Sequence, residues 1–103
     1  MDINDKIGKW FEILRNSPSM ILTHNSDYKQ FQNYVEGYID GLACLSGKNI
    51  KLELTKWFQN KYKQHSSLYW VDHIAEMYKN RSTEELKTIL LDVTEEYFNE
   101  NPL

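Results

Sequence analysis

The sequence predicts an all-α fold, a compact single-domain bundle of about five helices over residues 1–103. Three observations support this prediction. The chain contains only two prolines and four glycines, which indicates few turns. Apolar residues recur at three- and four-residue spacing in five separate segments. Clusters of Ser, Asn, Pro and Gly separate these segments, and such clusters commonly end helices. The length is sufficient for one domain with a modest core.

The first predicted helix covers residues 2–15, with Asp2 or Asn4 as its N-cap. The sequence RNSPSM, residues 15–20, ends it, because Pro18 disfavours helical geometry at the residue before it. The apolar positions of this helix are Ile3, Ile7, Trp10, Phe11 and Leu14.

The second predicted helix begins after NSD, residues 25–27, with Asn25 or Ser26 as its N-cap. It ends at Ser46 and Gly47, since glycine readily adopts the left-handed geometry of a helix C-terminus. Its apolar positions are Tyr28, Phe31, Tyr34, Val35, Tyr38, Ile39, Leu42 and Leu45.

Two shorter helices follow. The alternation in IKLEL, residues 50–54, is compatible with a strand, but the segment is too short and has no partner. We therefore predict a third helix, with apolar positions Ile50, Leu54, Trp57, Phe58 and Tyr62. QHSS, residues 64–67, interrupts the pattern, and a fourth helix is expected to start near Ser66 or Ser67. Its apolar positions are Trp70, Val71, Ile74, Met77 and Tyr78.

The fifth helix has the clearest local start signal in the chain. STEE, residues 82–85, is a capping box in which Ser82 and Glu85 each bond the other's backbone N–H. The helix is expected to fray at NENPL, residues 99–103. Its apolar positions are Leu86, Ile89, Leu90, Val93 and Tyr97.

Gly37 and Gly41 lie one turn apart inside the second helix, where each glycine costs about 1 kcal/mol relative to alanine. With Cys44 they form a row of small side chains, the glycine ridge. The ridge predicts a trench into which a neighbouring helix, or the ring of Trp57 or Trp70, packs closely. The alternative is that the trench stays open and receives part of a partner. Close packing also predicts a buried, unreactive Cys44 thiol.

Charge is distributed unevenly around a net value of −3. Residues 48–63 carry five lysines against one glutamate, and residues 84–100 carry six carboxylates against one lysine. One interpretation is that these are two solvated helix faces that attract each other. The other is an acidic surface for a basic partner. Glu36 and Asp40 are predicted to face water on the second helix. The candidate partner-binding residues are Glu36, Asp40, Asp92, Glu95, Glu96 and Tyr34.

No group of residues specifies a catalytic site, a cofactor or a metal. His73 and Glu76 are three residues apart on one helix, but no further ligand follows at metal-binding spacing. We therefore expect His73 to be a partly exposed helix residue. His24 and His65 are expected in loops.

Composition and sequence also limit which classes of partner and which cellular compartment we expect. The acidic balance disfavours nucleic-acid binding, and the apolar runs are too short for a membrane span. A single cysteine excludes an internal disulfide, and no secretory signal opens the sequence. We therefore expect a cytoplasmic protein whose partner is another protein.

The order of FQNYVEGYIDGL, LTKWF and WVDHI, within residues 28–78, resembles the small all-helical immunity proteins of bacterial contact-dependent inhibition and other polymorphic toxin systems. The resemblance implies a cytoplasmic protein without catalysis that binds one cognate toxin domain and occludes it, as a monomer in the complex. It carries over no contact residues. An acidic inhibitor would complement a basic nuclease toxin. The alternative is a structural or regulatory interaction module, for example a homodimer formed through the same trench.

Overall fold

A computed structural model describes residues 2–16 and 27–103 and confirms the all-α prediction. These described ranges contain no strand, so IKLEL is helical as predicted. The predicted break at Pro18 and the predicted loop position of His24 lie outside them. The described helices are α1 Ile3–Asn16, α2 Tyr28–Ser46, α3 Ile50–Tyr62, α4 Trp70–Met77 and α5 Thr83–Glu100.

Helix α1 is capped by Asp2, one of the two predicted residues. The Asp2 carboxylate accepts a hydrogen bond of 3.0 Å from the backbone N–H of Asp5. Asn4 has a different role, because its side chain donates to the carbonyl of Leu103 and accepts from the N–H of the same residue, both at 2.8 Å. This pair of bonds fastens the last residue of the chain to the first turn of α1.

Helix α2 begins at Tyr28, directly after NSD as predicted, but its N-cap is not one of the two predicted residues. Asn25 and Ser26 lie outside the described residues, and the cap is Asp27 instead. Asp27 and Gln30 form a reciprocal capping box, with bonds of 2.8 and 3.0 Å. The prediction missed that an Asp followed three residues later by Gln carries the same signal as Ser followed by Glu. The helix ends as predicted at Gly47, whose φ is +72°.

Helix α4 begins at Trp70 and not near Ser66 or Ser67, so that prediction was wrong. The preceding segment is held along α3 by two hydrogen bonds instead. The side chain of Gln59 donates to the carbonyl of Ser66 at 2.7 Å, and the N–H of Trp70 donates to Thr55 Oγ1 at 3.2 Å. Because these two bonds give the backbone groups of Ser66 and Trp70 partners on α3, the segment between them does not need to be helical, and α4 starts only at Trp70.

The remaining ends follow local rules. Asn49 caps α3, and α3 ends at Lys63 in the left-handed conformation with φ +54°. The predicted capping box of α5 is confirmed: Ser82 Oγ accepts from the N–H of Glu85 at 3.2 Å, and the Glu85 carboxylate accepts from the N–H of Ser82.

All described helices contribute to one core, and α5 packs on each of the other four. Trp70 is completely buried and donates to Thr94 Oγ1 at 3.0 Å, while Thr94 donates to the carbonyl of Leu90. Burying a large apolar side chain contributes roughly 1.5–3 kcal/mol, so these residues dominate the stability of the fold. Side chains that are completely buried include Val35, Ile39, Ile50, Leu54, Phe58, Trp70, Val71, Ile74 and Leu90.

None of the helices in the described ranges combines the length and apolar character needed to cross a membrane.

Candidate protein-binding groove

The glycine ridge faces outward, so the prediction of a trench filled by this chain was wrong. Val35 and Ile39 are completely buried and mark the core side of α2. Gly37 and Gly41 are exposed, and a Cβ atom added at either position would meet no atom within 4 Å. At about 100° per residue, Val35 and Ile39 point away from the two glycines. Tyr38, one of the apolar positions of the predicted helix, is only partly buried, so the core side of α2 is centred on Val35 and Ile39 instead.

Neither tryptophan proposed to fill the trench reaches it. Trp70 lies in the core beside α5. The Trp57 ring packs edge-on against Tyr97 of α5, with ring centroids 5.5 Å apart, and its Nε1 donates to Glu100. The alternative prediction of an open trench is therefore the correct one for the described residues.

The exposed ridge forms the floor of an apolar groove between α1 and α2, which we call the glycine groove. Its volume is about 490 Å³. Leu45 forms part of its wall and is 79% exposed, so it presents an apolar side chain to solvent at the edge of the groove. The lining residues are Ile3, Lys6, Gly37, Tyr38, Gly41, Leu42 and Leu45.

A rigid stack of rings supports the wall of the groove. The Trp10 indole lies flat on Tyr38, with centroids 3.7 Å apart and planes at 2°. The same indole donates through Nε1 to the Tyr34 hydroxyl at 3.1 Å. Burial raises the pKa of the Tyr38 hydroxyl. Because Tyr38 is already fixed by Trp10, a ligand that contacts it would restrict little additional side-chain motion.

Cys44 is exposed on the same ridge, which corrects the prediction of a buried thiol. The reason is the same outward rotation that exposes Gly37 and Gly41. Leu45 follows Cys44 and lies on the groove side of the ridge. The sequence contained a signal for this surface, since Leu45 does not fall in line with Val35 and Ile39.

The acidic candidates on α5 are engaged in ion pairs within the chain. Arg15 pairs with Asp92 at 2.9 Å and with Glu95 at 2.8 Å. Lys61 pairs with Glu96 and also with Glu100, whose pKa is lowered by the hydrogen bond from Lys61. Among the described residues, Lys61 is the one lysine of residues 48–63 that pairs with α5, so the attraction expected by the first interpretation is present at this single position. The remaining α5 carboxylates, Glu84 and Glu85, pair with Lys87 and Arg81.

The acidic candidates on α2 differ from each other. Glu36 does not face open water as predicted, because its side chain is only 21% exposed and pairs with Lys51 at 3.0 Å. It also accepts a hydrogen bond from Gln32. Asp40 is exposed as predicted and has no ion pair among the described residues. Of the six candidate residues, Tyr34 and Asp40 are the two that lie close to the glycine ridge.

No protein-family model, curated protein or solved structure matches this chain. The resemblance to immunity proteins stays a prediction.

The histidines are placed differently from each other. His65 is exposed in the segment after α3, as predicted. His73 is buried, with an exposed fraction of 5%, which corrects the prediction of a partly exposed residue. Its ring and that of Phe58 pack nearly perpendicular to each other, with ring centroids 5.1 Å apart. The Nδ1 of His73 has no hydrogen-bond partner, and burial lowers the pKa of the imidazole. Glu76 points elsewhere, pairing weakly with Lys79 at 3.9 Å.

The part of the chain that the structure describes holds no group of three or more His, Cys, Asp or Glu side chains able to bind a metal ion.

Proposed function

We propose that this protein acts by binding another protein, as an immunity protein that occludes a cognate bacterial toxin domain, and that the glycine groove receives a helix of that domain. The observation that carries the proposal is an open apolar groove with a fixed aromatic wall and the exposed Leu45. Exposed apolar patches bounded by polar residues commonly mark protein interfaces.

The shape of the groove suits a helix. The bare backbone at Gly37 and Gly41 allows a ridge of partner side chains to approach α2 closely. Apolar anchors of the partner would then contact Leu45 and Tyr38. Aromatic side chains held in place before binding are typical of the residues that contribute most to interface affinity.

Two unpaired charges lie beside this apolar surface. Lys6 lines the groove on the α1 side, and Asp40 lies on α2 next to the ridge; neither has an ion pair among the described residues. An occupant with an acidic residue near Lys6 and a basic residue near Asp40 would complement them. Asp40 therefore remains a candidate for partner binding, as the sequence predicts. The paired α5 carboxylates would have to exchange partners before they could contribute.

A second candidate function is a homodimeric interaction module that uses the same surface. The exposed ridge is compatible with it, since two copies of α2 crossing at Gly37 and Gly41 about a two-fold axis would each cover the other's glycines.

Filling the groove tests the proposal. Gly41→Leu places a side chain where the structure has open space, so we expect the fold to be retained and thermal stability to be unchanged or slightly higher. We expect affinity for the toxin domain encoded in the adjacent upstream reading frame to fall by at least about tenfold, equivalent to about 1.4 kcal/mol. Protection of cells that express this domain should be lost.

Gly8→Leu is the matched control, because Gly8 is also an exposed helical glycine with nothing within 4 Å of an added Cβ. It lies in α1 outside the groove lining and should retain binding and protection. Equal protection by Gly41→Leu and wild type would contradict the proposal. A wild-type dimer that becomes a monomer in the Gly41→Leu variant, measured by light scattering, would favour the homodimer.

A further inference from the structure

The ion pairs leave a concentration of unpaired positive charge on α3 and at its two ends. Lys56 and Lys63 are exposed and have no ion pair among the described residues. Lys48, just before α3, is likewise exposed and unpaired. By contrast, every carboxylate of α5 has an ion-pair partner. The charge that remains open to a partner around α3 is therefore positive, although the chain as a whole carries −3.

Exposed apolar side chains lie on the same side of the molecule. Leu52 is 39% exposed, Leu68 39% and Tyr69 44%. Leu52 precedes Lys56 by four residues, so these two share one face of α3. Lys63 is the C-cap residue that directly follows the last turn of the helix. We call these five residues, Leu52, Lys56, Lys63, Leu68 and Tyr69, the lysine–leucine face.

Three contacts hold the segment before α4 against α3 and so join the two parts of the face. Lys51 Nζ lies 4.5 Å from the centre of the Tyr69 ring. Gln59 bonds the carbonyl of Ser66, and Thr55 accepts from the N–H of Trp70. Leu68 and Tyr69 are therefore fixed beside α3 by the fold.

The neighbouring carboxylates do not neutralise the face. Glu53, next to Leu52 in the sequence, lies close enough to the Tyr97 hydroxyl of α5 to add to the effect of burial, which raises the pKa of Tyr97. Glu36 is occupied by Lys51. An approaching ligand thus meets two lysines around three apolar side chains.

We propose that the lysine–leucine face docks an acidic amphipathic helix of a partner protein, at a surface whose residues are separate from the glycine groove. Aliphatic anchors on the partner would cover Leu52 and Leu68, and its carboxylates would pair with Lys56 and Lys63. Because the carboxylates of α5 are already paired, a second copy of this chain offers no acidic helix with open charges.

The composition of the face favours an acidic protein helix over a nucleic acid or an anionic membrane as its ligand. It has no arginine for bidentate phosphate or base contacts, and leucines replace the stacking rings of single-strand binders. The two leucines and one tyrosine also offer a smaller apolar area than the apolar face of a helix that inserts into a membrane surface.

The probe is a synthetic amphipathic helical peptide of leucine and glutamate, titrated into the ¹⁵N-labelled full chain and followed by NMR. We expect chemical-shift changes centred on Leu52, Lys56 and Tyr69. Lys56→Glu with Lys63→Glu should weaken binding at least tenfold at low salt, and added salt should weaken binding to wild type. Leu52→Ser should weaken it without changing the salt dependence.

Lys9→Glu with Lys29→Glu is the matched control, because it makes the same charge change at exposed, unpaired lysines of α1 and α2. This control should bind the peptide like wild type, and circular dichroism should show that all variants are folded. Equal losses in both double variants would overturn the proposal, since net charge alone would then explain binding. A DNA duplex or phosphatidylglycerol vesicles binding the face more tightly than the peptide would also overturn it.

Discussion

His73 is a titratable side chain buried without a partner for Nδ1. Phe58 packs against its ring, and no ion pair involving it exists among the described residues. Protonation would place a positive charge in an apolar environment, which explains why burial lowers its pKa. The neutral imidazole is therefore the form that fits this core.

The buried His73 predicts a loss of stability in mild acid. In the unfolded chain its pKa returns to about 6.5, so the unfolded state binds the proton first as pH falls. The free energy of unfolding should therefore decrease below about pH 6.5 and stop responding to this group below its lowered native pKa, with a slope of at most about 1.4 kcal/mol per pH unit.

Urea denaturation between about pH 5 and 7.5 measures this slope. His73→Leu should flatten the dependence in that range, whereas His65→Gln, at an exposed position, should not. The same slope in His73→Leu and wild type would assign the effect to other groups.

Helix ends differ in how strongly local sequence defines them. Both α2 and α5 begin with a reciprocal capping box. Helix α4 has no side-chain cap, and its first N–H groups depend on contacts with α3 such as the bond from Trp70 to Thr55. A local start signal thus predicts α5 correctly, while the start of α4 depends on a residue fifteen positions earlier.

For α5 we predict that Ser82→Ala lowers the free energy of unfolding by about 1 kcal/mol, because the N–H of Glu85 loses its acceptor. Thr83→Ala is the control, since Thr83 is the exposed first residue of the helix and does not cap it. Urea midpoints of the two variants and wild type measure the difference. If Ser82→Ala and Thr83→Ala behave alike, the hydroxyl of Ser82 contributes nothing to the start of α5.

At the scale of the whole molecule, the fold determines which charges remain available to partners. Arg15, at the end of α1, reaches two carboxylates of α5, and Lys61 reaches two more from α3. Exposed pairs of this kind contribute little individually, typically below about 1 kcal/mol each. Their larger effect is that these α5 carboxylates are already paired and no longer form the open acidic surface that the sequence suggests.

Reversing two of these carboxylates should therefore affect folding. We expect Asp92→Lys with Glu95→Lys to lower the free energy of unfolding by roughly 1–2 kcal/mol, because two pairs to Arg15 are lost and like charges replace them. Thermal melts at low and high salt measure it, and high salt should shrink the difference.

The control for this charge change is Asp40→Lys with Glu76→Lys. Asp40 has no ion pair among the described residues, and Glu76 has only the 3.9 Å contact with Lys79. This variant should melt close to wild type. Equal destabilisation in both double variants would mean that total charge, and not the Arg15 pairs, is responsible.

The sequence by itself determined the helices and most of their ends. Apolar spacing identified all five described helices, and Gly47, Asp2 and the Ser82–Glu85 box ended or started them as predicted. These features depend on residues within one or two turns of each other, so the local sequence contains the needed information.

Only the tertiary structure decided what the helices present to each other and to solvent. The rotation of α2 exposes Gly37, Gly41 and Cys44 and leaves the glycine groove open, because α2 buries Val35 and Ile39 instead. The burial of His73 and the pairing of Arg15 with α5 likewise depend on contacts between distant residues. A helical pattern with apolar residues on several sides, such as that of α2, leaves its rotation undetermined until the other helices pack against it.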